Sequence, residues 1–161
     1  IETEQTLYMV SNEFNYPKVL MDSWLRDNVL KHIDMNEVQY SLVEIREAIK
    51  QFIPETIQAN IWAYNGTFDW YLFIRLFGKM EHLPAHFPNS FSELKQLIKS
   101  DPNFVKQEHE GRKHHALDDA IYQANIYKKF MSENRSEYDP IFFHEKQLDK
   151  KIDKYKFSRD L

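Results

Sequence analysis

Two short segments of this 161-residue chain bring acids and histidines together at spacings that suit chemistry. The first is Asn65-Gly66-Thr67-Phe68-Asp69, where a compact apolar run ends and a helical pattern begins. Asn-Gly signals a turn, so Asp69 falls in the first turn of the helix that follows. A carboxylate there points off the end of a sheet, where ligands bind in open α/β folds. The competing reading is a helix-start acid favoured by the dipole. The second segment is His114-His115-Ala116-Leu117-Asp118-Asp119-Ala120. Asp119 lies about one turn into a helix, which fixes it, while His114 at the loop end is free to approach a reactant. Its competing reading is a run of helix-favouring acids beside solvated histidines.

Together the two segments are more specific than either alone. Hydrolysis of a phosphodiester needs an activated water and a stabilised leaving oxygen. Two divalent ions held by carboxylates supply both. Mg²⁺ or Mn²⁺ takes oxygen ligands and keeps several waters, so a few acids suffice. Histidine ordinarily titrates near neutrality and can take the proton of the water. A rigid Asp119 beside a mobile His114 suits a fixed metal ligand and a base that must approach a water.

The elements that must position these residues are legible in part. Thr6 to Ser11 is short and β-rich and reads as a strand. Pro17 opens a helix. Ser41 and Glu44 form a capping box ahead of Leu42, Ile45, Ile49 and Phe52, and Pro54 stops that helix. Asn60 to Tyr64 reads as a buried strand. Thr67 to Phe77 reads as a deeply buried helix, apolar nearly all round, with Gly78 at its end. Ser90 and Glu93 repeat the capping-box pattern before Leu94 and Leu97. Residues 101 to 113 read as an exposed loop. Ala116 to Met131 is the clearest helix, with Leu117, Ala120, Ile121, Ala124 and Met131 on one face. The pattern is α/β. Residues 1–131 read as the core and 132–161 as an appended helical or partly ordered tail. Within that tail, Lys146 to Lys156 reads as a solvated face.

Composition narrows the function. Three glycines leave no room for a Gly-rich phosphate loop, and the absence of cysteine removes thiolate sites and disulfides. This suits a reducing compartment, and a cytoplasmic location is expected. A net charge of −4 excludes a basic nucleic-acid coat, so any contact with nucleic acid must be local, through a small basic patch or metal ions. No apolar run approaches the roughly 18 residues of a membrane span.

The residues also resemble a known family. Asn-Gly-Thr-Phe-Asp resembles the second motif of the DEDD exonucleases. His-His-Ala-Leu-Asp-Asp-Ala resembles the third motif of their DEDDh branch. The YMVSNEFN, IWAYNGTFDWYLFIRLFGKMEHLPAHFP and FSELKQL stretches are similar to the small mycobacterial-type 3′-5′ exoribonuclease family, from about Leu7 to Met131. The resemblance implies a ribonuclease H-like mixed sheet flanked by helices. It also implies two Mg²⁺ (or Mn²⁺) ions, and release of nucleoside monophosphates from the 3′ end of single-stranded RNA or DNA. It assigns His114 as base and Asp69 and Asp119 as ligands, with Asp118 a neighbour.

The family's first motif, Asp-x-Glu on an early strand, is not present. The chain does not begin with Met, and Ile1 to Glu4 is read as the turn before a third strand, with the first hairpin lying upstream. The alternative is a catalytically inactive nuclease-like domain that binds nucleic acid or protein. Expected substrate contacts are Asn65, Phe68 and Arg112. Trp62, Phe68 and Trp70 can stack a base, with core packing the competing reading for Trp62 and Phe68. Arg112 and Lys113 are read either as phosphate ligands or as solvated charges. His109, flanked by Glu108 and Glu110, is read as a poor candidate for structural zinc. The aromatic content and the tail allow a homodimer.

Overall fold

The computed structural model describes residues 4–134. Expectations for Ile1 to Thr3, and for the tail from residue 135 onward, lie outside the described residues. The chain divides into two compact units between Asn125 and Ile126.

In the first unit, Asn15 caps α1 (Tyr16–Met21), accepting the Lys18 N–H at 3.0 Å, with Pro17 in the first turn as expected. Asp22 caps α2 (Ser23–Asn28) in the same way, and a 3₁₀ turn (Leu30–His32) follows. The Ser41/Glu44 capping box is present on α3 (Leu42–Phe52), which ends one residue before Ile53 and Pro54.

The sheet is smaller than the sequence suggests. β1 (Trp62–Ala63) pairs in parallel with β2 (Ser92–Glu93), in the register Trp62 to Ser92 and Ala63 to Glu93. Parallel strands need a crossover, and α4 (Thr67–Phe77) provides it. The expected strand over Asn60 to Tyr64 therefore shrinks to its centre and is half-buried. Thr6 to Ser11 makes no strand: Tyr40 N–H donates to Val10 O (2.8 Å) and Asn12 N–H to Tyr40 O (2.9 Å), one parallel bridge without a continuing ladder.

Helix α4 has the expected bounds, with Gly78 at φ +92° ending it, but it is not deeply buried. Phe77 is buried, whereas Phe68, Tyr71 and Leu72 are exposed. Only one stripe faces the aromatic cluster: Trp70 stacks on Phe73 (5.3 Å), and Phe73 and Phe77 meet Phe87 at 6.0 and 5.6 Å. Leu94 and Ile98 of α5 (Leu94–Lys99) are also buried. Ser90 is not the cap of α5. Glu93 is, through its side chain and the Lys95 N–H at 3.0 Å, because the strand register already commits Ser92 and Glu93.

Helix α6 runs from Ala116 to Glu133. Its expected apolar face is out of phase: Ile121 is exposed, as are Ala116 and Ala120. The covered stripe passes instead through His115, Asp119, Ile126 and Phe130, of which His115, Ile126 and Phe130 are buried. In the second unit the described residues are the last turns of α6, closed by the Asn134 N–H on Phe130 O at 3.0 Å. Among the described residues no helix is long and apolar enough to cross a membrane.

Candidate active site

Asp69 is presented by the β1–α4 connection. Asn65 has φ +56°, a left-handed conformation that Asn tolerates better than most side chains. Gly66 is there for space: a Cβ would overlap the Ala63 Cβ and reach Phe91 Cε2 at 3.0 Å. The turn is held by Glu93 on the neighbouring strand. Its carboxylate accepts the Asn65 N–H (2.8 Å), the Gly66 N–H (3.2 Å) and the Lys95 N–H. Lys95 Nζ donates to Asn65 Oδ1 at 3.0 Å. Burial pushes the Glu93 carboxyl up, but these three backbone donors and Lys95 outweigh it, and its pKa lies below the ordinary glutamate value. Asp69 itself is exposed, in the first turn of α4, and no hydrogen-bond or ion-pair partner for it stands among the described residues.

The second junction is built differently. Arg112 donates to Asp118 through its backbone N–H and Nε, both at 2.9 Å, and through Nη2 at 3.4 Å. The Arg112 side-chain bonds, then its N–H, hold the Asp118 carboxyl well below the usual carboxylate range against the opposing effect of burial. His115 is buried between Tyr8 and His32, with ring centroids 4.9 and 6.0 Å away. Its Nδ1 accepts from Asp118 N–H and Arg112 Nη2, both at 3.3 Å. His32 Nε2 donates to the Lys113 carbonyl at 3.0 Å. Between these anchors, His114 takes φ +69° and is exposed, with its ring 5.1 Å from Trp24.

Asp119 is the engaged member of the set. His109 Nε2 donates to its Oδ1 at 2.7 Å, and the His109 side chain is only 10% exposed. On its other side the ring meets Gly111, with Nδ1 3.2 Å from the Gly111 N–H nitrogen and 3.1 Å from the Gly111 carbonyl oxygen. Tyr122 packs on the same ring at 4.5 Å.

The structure thus places Asp69 and Asp119 each in the first turn of a helix and exposes His114, while Asn65 and Arg112 hold the chain beside them. Phe68 is 71% exposed, so the core-packing reading fails for it. Trp62 and Trp70 are half-buried. Arg112 is tied to Asp118 rather than simply solvated. Sequence reasoning missed the hold of Glu93 on the Asn65–Gly66 turn, and it missed Lys95, His32 and the role of His109. Each acts across at least one loop, and none leaves a local spacing signal. As ligands, two aspartates suit an oxygen-seeking ion such as Mg²⁺ but supply only part of a donor set. Among the described residues no three His, Asp or Glu side chains gather as a complete metal site.

The parallel βαβ crossover and the helices around it make this a mixed α/β domain, mostly helical among the described residues. The chain belongs to the family described as the 3′-5′ exoribonuclease Rv2179c-like domain, which it matches over residues 22–131. The match bears out the resemblance to the small mycobacterial-type 3′-5′ exoribonuclease family and includes both junctions whole. No curated protein matches the chain.

Proposed function

We propose that this chain carries half of the active site of a 3′-5′ exoribonuclease that acts on single-stranded RNA and releases nucleoside monophosphates. The observation that supports this best is that the family match spans both junctions, each of which offers an aspartate in the first turn of a helix. In this reading the fold is ribonuclease H-like, and Asp69 and Asp119 would hold two Mg²⁺ or Mn²⁺ ions together with an Asp-x-Glu pair. The ions supply charge stabilisation to the attacking and leaving oxygens.

The chain's own residues do the rest. His114, exposed at the end of a loop fixed on both sides, takes the proton from the attacking water. His109 keeps Asp119 in one orientation, so no side-chain rotation is needed when a ligand arrives. Asn65 and Arg112 hold the two junctions, and the exposed Phe68 ring is available to a base.

The same incomplete donor set among the described residues fits a second reading, a nuclease-like module that binds nucleic acid or protein without catalysis. Assay of the full-length protein on 3′-terminal single-stranded RNA with Mg²⁺ separates the two. The nuclease reading expects monophosphate release that His114→Ala and Asp119→Ala each abolish. Full activity in either variant would sink the assignment. RNA binding that survives chelation, with no hydrolysis under any metal, would establish the binding module.

A further inference from the structure

In a chain of net charge −4, a polyanion has to be met by a local group of cations. The structure contains one that the motifs do not include. Tyr64 is the residue between β1 and the Asn65–Gly66 turn. Lys95, in the first turn of α5, and Lys106, in the loop after it, reach the same ring from two elements. Their Nζ atoms stand 5.9 and 5.1 Å from its centroid.

Neither ammonium is consumed by its partner there. Lys106 donates to the Tyr64 hydroxyl at 3.1 Å, and Lys95 to the Asn65 side-chain oxygen at 3.0 Å, both neutral acceptors. A lysine has three donors, so each keeps charge and hydrogen-bonding capacity for an anion. Glu93 answers part of the Lys95 charge. Lys106 is exposed and makes no ion pair among the described residues.

We propose that Tyr64, Lys95 and Lys106 form a subsite for the backbone of single-stranded RNA beside the Asp69 junction. Lysines meet phosphates as point charges, and an aromatic ring among them offers a stacking face to a base; this pairing is how single strands are held without sequence preference. The inference rests on the RNA reading above. Through Asn65, the subsite shares its scaffold with the turn that presents Asp69, so RNA held there lies next to the candidate ligand.

The test is fluorescence anisotropy of a short labelled single-stranded RNA titrated with the full-length protein in a chelator, so that binding is read without hydrolysis. Lys106→Ala is the decisive variant, because Lys106 is exposed and Lys95 also braces the turn. It is expected to weaken binding roughly three- to tenfold and to flatten the salt dependence by about 0.7 in log–log slope, as loss of one phosphate contact requires. Lys106→Arg keeps the charge and is expected to bind as wild type. Unchanged affinity and salt slope in Lys106→Ala overturn the subsite while leaving the nuclease assignment to its own activity assay. So does a wild-type protein that hydrolyses RNA with Mg²⁺ but shows no binding in chelator.

Discussion

At the first junction the chain is held from outside, by Glu93 on the adjacent strand, whereas at the second it is held largely from within, by Arg112 and His115 on Asp118. Each junction places one left-handed residue two positions before its helix, Asn65 at φ +56° and His114 at φ +69°. The results differ in what is left open. The first exposes its acid, Asp69. The second engages its acid, Asp119, through His109 and exposes the candidate base, His114. A carboxylate with no protein partner is oriented only when a ligand arrives. A carboxylate already bonded to a largely covered imidazole is oriented beforehand. A reacting base, by contrast, must stay free to reach the water.

That contrast is most severely tested by activity. Asp69→Asn and Asp119→Asn are expected to reduce 3′-end hydrolysis by a factor of about 10²–10⁴, comparable to loss of the base. His109→Ala is expected to reduce it about tenfold and to raise the Mg²⁺ concentration needed for half-maximal rate, because it disturbs a ligand without removing it. His109→Gln, which can still donate to Asp119, should recover part of that loss. If His109→Ala leaves rate and metal requirement untouched, the 2.7 Å bond is incidental and the two acids are equivalent.

Stability offers a second comparison, because each junction also has a glycine in close approach. A Cβ on Gly66 would overlap Ala63 and press on the Phe91 ring, both within the packed β1–α4 region. A Cβ on Gly111, an exposed loop residue, would meet the Asp118 Cβ at 2.7 Å, a milder overlap than the one at Gly66. Gly66→Ala is expected to destabilise by about 1–3 kcal/mol, as overpacking does. Gly111→Ala should cost less. Thermal unfolding that ranks them the other way would mean that the second junction is the more rigid.

How much of this was legible in the sequence follows from the range over which each contact acts. The α4 bounds, the Ser41/Glu44 box and the α1 proline were readable because caps and breakers act within a turn. Both acids were readable because turn chemistry and the motif place them locally. Helix α6 was misphased because its covered stripe includes the polar His115 and Asp119, so apolar periodicity alone points to the wrong face. The exposure of Phe68 was missed because an all-round apolar helix reads as core. Glu93 was read as the capping-box partner of Ser90 and is itself the cap, while its two bonds to the Asn65–Gly66 turn depend on the parallel register, which no local pattern encodes.

The smallest expected effect lies in the acid limb of stability, where the two ways of holding a junction can be separated. Glu93 and Asp118 both have folded-state pKa values below their ordinary ones, Glu93 because backbone donors and Lys95 outweigh burial, Asp118 chiefly through Arg112. A lowered folded-state value means that the stabilisation is fully present above the unfolded carboxyl pKa, about 4, and is lost as pH falls through the folded value. Asp118 is shifted further, so its contribution should fade over a wider window at lower pH. Arg112 is 58% exposed, however, so salt should screen that contribution more than it screens the backbone bonds to Glu93. Urea unfolding from neutral pH down to acid is expected to show Glu93→Gln and Asp118→Asn each less stable than wild type at neutrality, with both differences shrinking in acid. Added salt should narrow the Asp118→Asn difference first. An Asp118→Asn variant with the wild-type acid limb would show that the Arg112 clamp adds nothing to stability, and that the second junction owes its shape to His115 and His32 instead.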